Sequence, residues 1–412
     1  MNLKITNVTL PNRKGNWNIA IANGYITKIT AEPIAEATDE TLDGEGNLLI
    51  PGLVDPHIHL DKALLLDRYP AVAGTFDEAL QTTLKAKSEY TVADIQARAR
   101  KVIEQAIAFG TTAMRTHVEV DPILQLKSIE ALLPLKSAYA WGITLQLAIF
   151  AQEGITNQPG TLKLLERAMK MGGDVIGSAP YVDPNPEENI RLIFDLAQEF
   201  DCNIDFHLDF LDDDAPLLLP VVIEETLKHN WQHRVCLGHM TKLAGLTPEE
   251  LADYIPQLQA AGIAILALPA TDLYMMARRD THNARRGVAP IHRLAESGVK
   301  VGLATNNVQN LFTPFGDGDV LKICTLLAQV LHLGTTASHQ LCLDMATVKA
   351  AEAIGIKDHG IAVGKTADLV LLGVDSVSKA IATAPIKRTV IKKGEITAQI
   401  STIKKFKQNI KS

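Results

Sequence analysis

The stretch PGLVDPHIHLDK, Pro51 to Lys62, decides how this chain is read. It is an apolar run of strand length that ends in His57-Ile58-His59. Side chains alternate across a strand, so a His-x-His pair sends both imidazoles to one face. Both rings then reach one metal ion, each through a ring nitrogen at roughly 2.0 to 2.1 Å if the ion is zinc. A lone His-x-His is a weak signal. Its weight depends on what stands at the ends of the strands that follow.

Seven more apolar runs follow in order: TTAMRTHVEV, ITLQLAIFAQ, DVIGSAPYV, CNIDFHLDF, RVCLGHM, IAILALPA and KVGLATNN. Between them lie stretches such as VADIQARARKVIEQAIAFG, PEENIRLIFDLAQEF and TPEELADYIPQLQAAG, whose apolar residues recur with the 3.6-residue period of a helix. Thr247 with Glu249 and Glu250 is a good helix start. Strands alternating with helices predict parallel βα units, and eight of them predict a closed (β/α)8 TIM-like barrel of the α/β class.

The two ends of the chain have a different grammar. LKITNVTL, NWNIAIANGYITKITA and GNLLIPG are short strand-like runs, with Asn23-Gly24 as a hairpin signal. GKTADLVLLG and RTVIKKGEITA repeat that pattern around Lys393-Gly394. The expected organisation is a small, discontinuous β-sandwich domain made of residues 1–50 and 360–412, enclosing a hydrolase barrel over 51–359.

The bulk numbers agree with a globular protein. Of 412 residues, 47% are hydrophobic and 21% charged, enough for a large core. The net charge of -7 argues against a nucleic-acid partner, which needs a basic face. Cys202, Cys236, Cys324 and Cys342 form no CxxC pair, so a reducing compartment is expected. No long apolar segment or leader pattern appears, so the expectation is a cytoplasmic protein without a membrane partner. The basic tail KKFKQNIKS reads as a solvated terminus.

In a barrel of this kind the chemistry sits at the C-terminal ends of the strands. Strand one ends in His57 and His59, strand two in Arg115 and His117, strand three in Gln152 and Glu153, strand five in His207 and Asp209, strand six in His239, and strand eight in Asn306 and Asn307. Five of the twelve histidines fall at these ends. His207 or His239 taken singly is more simply a hydrogen-bonded core histidine. Together with His57 and His59 they point to a metal site, with His117 either joining it or bracing it from behind.

These blocks resemble the amidohydrolase superfamily, and within it the bacterial cytosine deaminase-like group. PGLVDPHIHLDK, RTHVEVD, AIFAQEGI, DFHLD, LGHMT, ARRDTHNARRG and SGVKVGLATNN stand in the family's order across nearly the whole chain. PFGDGD is similar to the branch acting on N-alkyl triazines, the N-isopropylammelide amidohydrolases. The resemblance implies that His57, His59 and His207 hold one divalent ion, zinc or iron. It implies that His239 positions and polarises the attacking water, and that Gln152 hydrogen-bonds an amide-like edge of a small nitrogen heterocycle. It further implies a homo-oligomer. No lysine stands on strand four, DVIGSAPYV, where two-metal relatives carry one.

Two positions depart from the family pattern. Where the family has a fourth ligand and base, an Asp at the end of strand eight, this chain has Asn306. Where cytosine deaminases carry a proton-shuttling Glu three residues after the strand-five histidine, it has Phe210. Asn306 can offer a carbonyl oxygen but cannot take a proton. Asp209 and His239 are therefore expected to share the proton work of a deaminase or amidohydrolase. The alternatives are a metal- or ligand-binding homologue with impaired chemistry, and a structural oligomer subunit. Arg278, Arg279, Arg285 and Arg286 form either a solvated loop or a surface for an anionic substrate, and Asp317 and Asp319 are expected to cap the helix DVLKICTLLAQVL.

Overall fold

A computed structural model of the chain describes residues 3–36, 38–210 and 214–403. The basic tail KKFKQNIKS lies outside them. The opening strands are β1 (Leu3–Leu10), β2 (Arg13–Ala22), β3 (Tyr25–Thr30), β4 (Glu40–Asp43) and β5 (Leu48–Pro51). Eight follow in the middle: β6 (Leu53–Ile58), β7 (Thr111–Glu119), β8 (Thr144–Ala151), β9 (Val175–Ser178), β10 (Asn203–Leu208), β11 (Val235–His239), β12 (Ala264–Ala267) and β13 (Lys300–Leu303). The chain closes with β14 (Leu369–Leu372), β15 (Arg388–Lys392) and β16 (Glu395–Ile400).

Strands β6 to β13 pair in sequence order, and their ladders are all parallel. Each apolar run named above supplies one of them. They are buried on both faces, because side chains fill the barrel inside and helices cover it outside. Closure happens at one place. The Asn306 N–H donates to the His57 carbonyl at 2.9 Å, and the His59 N–H donates to the Asn306 carbonyl at 2.9 Å, so the last strand meets the first at the level of the strand-end histidines.

The terminal strands form a second sheet in the order β16-β15-β14-β5-β1-β2-β3, with β4 also on β1. It branches at β1, whose first residues pair with β2 and β4 and whose Thr9 pairs with Leu48 of β5. The two leaves enclose a core of their own, with Ile5, Val8, Ile19 and Ile21 facing Leu49, Leu369 and Ile391. Both predicted hairpins are built on left-handed pairs, Asn23 (φ 52°) with Gly24 (81°) and Lys393 (48°) with Gly394 (78°). Such turns match the twist of the strands they join. LLIPGLV is split between the sheets: Leu48–Pro51 belongs to the terminal sheet and Leu53–Ile58 to the barrel.

Helix starts behave as read. Thr247 accepts from the Glu250 N–H, and Glu250 returns a bond to the Thr247 N–H, ahead of the helix Pro248–Ala261. Asp319 accepts from Leu321 N–H at 3.0 Å at the start of Val320–Val330. It also holds the buried Arg388 guanidinium through two bonds of 2.8 and 2.7 Å, which ties the barrel to β15. No helix among the described residues is long and apolar enough to cross a membrane. All four cysteines are free and buried.

Candidate functional site

The barrel interior at the C-terminal ends of its strands is a stack of polar layers. Residues two apart on a strand face the same way, so Arg115 lies one layer below His117, and Asp205 one layer below His207. In the lower layer Arg115 donates to Asp205 Oδ2 at 2.8 Å, to Gln146 and to the Ile354 carbonyl. Arg115 therefore belongs to the floor rather than to the rim where its position in the sequence put it. Above it the imidazoles converge. Nε2 of His207 is 3.1 Å from Nε2 of His57 and 3.1 Å from Nε2 of His59. Gly238 makes this packing possible: a Cβ there would lie 2.8 Å from Cε1 of His57. Phe150 stacks flat against His207, 4.7 Å between centroids and 7° between planes, and fixes its orientation.

Burial pushes His57, His59 and His207 well below the ordinary imidazole pKa; the crowding of imidazoles adds to it, and at His59 the Lys62 ammonium adds more than they do. They are neutral rings with a lone pair to give. The Nδ1 atoms of these rings have no hydrogen-bond partner, and a cation between the facing Nε2 atoms would take all three lone pairs at once. Two nitrogens about 2.0 to 2.1 Å from one tetrahedral ion lie roughly 3.3 to 3.4 Å apart, close to the spacing here. The donor set fits a divalent metal. His117 stacks on His57 with centroids 3.8 Å apart, comes within 3.3 Å of Asp205 Oδ1, and shares the metal-binding neighbourhood of the other three.

His239 ends β11, the strand next to β10. Its Nδ1 lies 2.8 Å from Oδ1 of Asp272, which is fully buried and also accepts from the Leu268 N–H. The carboxylate fixes the tautomer: Nδ1 carries the hydrogen, and Nε2 is left as an acceptor. Burial raises the pKa of Asp272, and the bond to His239 offsets only part of that rise. The ring of Phe210 covers His239 with centroids 4.0 Å apart. His239 (φ 71°) and Asn306 (φ 63°) both hold left-handed backbone, a strained conformation that gathers at functional sites.

A tight cavity joins these groups. Its wall includes His59, His207, His239, Asn306, Gln152, Lys62 and Tyr181, under Phe76, Phe210 and Phe312. Gln152 Oε1 accepts from Lys62 Nζ at 3.2 Å. The Asn306 side-chain oxygen is buried without a protein partner. Asn307 is spent on structure, donating to Thr271 and accepting from Asn310.

Asp209 is not among the cavity residues. Its carboxylate accepts from the N–H groups of Leu218 and Leu219 at 2.8 and 3.1 Å, where the helix Leu219–Lys228 begins. The structure thus does not bring Asp209 together with the cavity residues, because the left-handed turn at Asp209 (φ 47°) carries the side chain to the helix start. The arginine stretch follows the bland reading in part: Arg278 bonds the Tyr274 carbonyl, and Arg285 pairs with Asp280 on its own exposed loop. Sequence reasoning missed Asp272, Asp205 and Phe150. Asp205-x-His207 carried the period-two signal that would have found Asp205, whereas nothing in PATD marked Asp272.

The sequence profile of the amidohydrolase family matches residues 40–398. The chain is 31% identical to the N-isopropylammelide isopropyl amidohydrolase of Pseudomonas sp. (strain ADP), over 97% of this chain and 98% of that one. It is 28% identical to a pterin deaminase of Rhizobium rhizogenes, over 92% of this chain and 87% of the other. In three dimensions it superposes on the 5-methylcytosine deaminase of Klebsiella pneumoniae liganded with 5-fluorocytosine with a TM-score of 0.92, at 30% identity, covering 98% and 99% of the two chains. On sequence and on fold, this chain belongs to the amidohydrolase family.

Proposed function

We propose that this chain is a hydrolase of a C–N bond in a small nitrogen heterocycle, dependent on one divalent ion, zinc or iron, held by His57, His59 and His207. The observation that carries this reading is the convergence of three neutral Nε2 atoms opposite a carboxylate-oriented histidine. A divalent ion in such a place acts as a Lewis acid and lowers the pKa of water to about 7. The chain must still take the proton. In this reading His239 takes it at Nε2, and Asp272 steadies the imidazolium that results. Gln152, its carbonyl side held by Lys62, orients the ring edge, and the aromatic roof keeps bulk water out.

Asn306 fills the place of the family's base without its basicity. The proton route runs instead through the His239 and Asp272 pair, which needs neither a carboxylate at the end of β13 nor one at Phe210. The second reading, a ligand-binding homologue with impaired chemistry, is favoured by those same two residues.

Metal content by mass spectrometry, together with ammonia and amine release from a panel of aminoheterocycles, separates the two. The expected result is near-stoichiometric metal with turnover, and an Asn306→Asp variant whose kcat changes by less than about tenfold. Full metal with no turnover on any panel member, and about 10²-fold or more gained by Asn306→Asp, would establish the impaired homologue instead.

A further inference from the structure

We propose that Asp205 is a positioning residue for the metal site: its carboxylate, anchored by Arg115, keeps the ring hydrogen of His57 on Nδ1 and so keeps the Nε2 lone pair free to bind the ion. The inference rests on the reading of His57, His59 and His207 as metal ligands, and it concerns the rings before any metal is bound.

A neutral imidazole carries its hydrogen on one nitrogen or the other, and the partner of one nitrogen decides what the other can do. With the hydrogen on Nδ1, His57 offers a lone pair at Nε2. With the hydrogen on Nε2, it bonds the Nε2 of His207, 3.1 Å away, and that hydrogen fills the place of the ion. Burial does not choose between the two forms, since both are neutral. A charge beside one nitrogen does.

Asp205 supplies that charge. It lies on β10 one layer below His207, fully buried, and its Oδ2 accepts from the Arg115 guanidinium at 2.8 Å. Arg115 is itself fixed by Gln146 and by the Ile354 carbonyl. The other oxygen, Oδ1, makes no full hydrogen bond and faces two rings, Nε2 of His117 at 3.3 Å and Nδ1 of His57 at 3.9 Å. Both nitrogens are buried, and no hydrogen bond within the protein satisfies either. An N–H pointed at this oxygen is attracted and a lone pair pointed at it is repelled, in a place where little water screens the difference. His57 therefore holds its hydrogen on Nδ1, and His117 on Nε2. The two rings lie against each other with centroids 3.8 Å apart, so His117 braces the plane of His57 while one oxygen fixes both hydrogens. Among the described residues, His57 alone of the three ligands has a carboxylate facing its ring, and no carboxylate lines the cavity, so this orientation comes from behind the rings. Asp272 does the same for His239.

The test is an Asp205→Asn variant read in two ways. Arg115 has only hydrogens to give, so the amide oxygen turns to Arg115 and the NH2 turns to the rings, which reverses the preference at His57. The same exchange in a serine-protease triad gives the wrong tautomer. Nitrogen NMR of the rings in metal-free protein is expected to show the His57 hydrogen on Nδ1 in the wild type and on Nε2 in the variant. Zinc affinity, measured by competition with a chromophoric chelator, is expected to fall about 10- to 100-fold. A merely structural role for Asp205 lowers affinity without moving the hydrogen, so a fall without the tautomer change overturns the proposal, as does the change without the fall. Should the variant fail to fold, the wild type decides alone: a His57 hydrogen on Nε2 in the metal-free protein overturns the proposal, and one on Nδ1 supports it. Wild-type protein that keeps the hydrogen on Nδ1 but binds no zinc sinks the hydrolase reading and leaves the control of the tautomer standing. Zinc binding with turnover, and an unmoved hydrogen in the variant, does the reverse.

Discussion

The histidines at the ends of β6, β7 and β10 and the carboxylates around Lys87 are both buried sets of ligand-type side chains, each within metal-binding reach of one another. In the second set Lys87 Nζ lies 2.7 Å from Glu119, 3.0 Å from Asp121 and 2.5 Å from Glu153. Burial alone would push Lys87 down, but Glu119, Glu153 and Asp121 more than reverse that and hold it well above an ordinary lysine. This cluster brings its own cation. The histidine cluster holds neutral rings whose lone pairs face one another and offers no cation of its own. Ligand-type residues in proximity are thus not enough to argue a metal site, and what decides is whether the chain has already supplied the positive charge. Lys62 joins the two regions, since Glu119 lies on one side of it and the cavity on the other.

That contrast can be broken by substitution. The largest effect is expected from removing a histidine: His207→Ala should take bound metal below about a tenth of an equivalent and abolish turnover, because two imidazoles cannot hold the ion alone. Elemental analysis after dialysis measures it, and full metal retention would sink the assignment. Next comes Asp272→Asn, expected to lower kcat by about 10²- to 10⁴-fold with metal content unchanged, as loss of the orienting carboxylate does elsewhere. A parallel loss of metal would show Asp272 to be structural instead.

On the other side of the comparison, Lys87→Met should destabilise the protein by about 3 to 5 kcal/mol, since it takes the ammonium from buried Asp121 and Glu153 and leaves Glu119 with Lys62 alone. Its unfolding midpoint in urea should fall further than that of metal-free His207→Ala. The reverse order would mean that the carboxylate cluster is not fully paired.

The smallest effect is a pH dependence. Burial raises Glu119, but the ammonium groups of Lys62 and Lys87 bring it down to about 2 from an ordinary 4.5. A carboxyl with a depressed folded-state pKa contributes stability that is present above its unfolded value. The contribution should therefore be intact above about pH 4.5 and lost as pH falls toward about 2, with the loss reduced in Lys62→Met. Denaturant midpoints of both proteins across that range check it, and a slope equal in the two would remove Glu119 as its source.

Much of the fold was legible. Each of the eight barrel strands was visible as an apolar run, since strands buried on both faces need no polar alternation. The terminal hairpins announced themselves through Asn23-Gly24 and Lys393-Gly394, whose left-handed turns few other pairs adopt. The strand-end histidines were legible for the same reason as the barrel, because period two and strand register set which residues face inward. The place of Asp209 was not legible, because one left-handed residue turned a strand-end carboxylate toward the N–H groups of Leu218 and Leu219.

By itself, then, the sequence determined the barrel, the terminal sheet and the inward-facing histidines, all of which follow from local periodicity and residue chemistry. Tertiary structure alone decided the partners: Asp272 behind His239, Asp205 beneath His117, Lys87 among its three carboxylates, and Lys62 as the ammonium in the cavity wall. Those pairings join residues far apart in the chain, and whether a buried charge is matched depends on which strands and helices the closed barrel brings together.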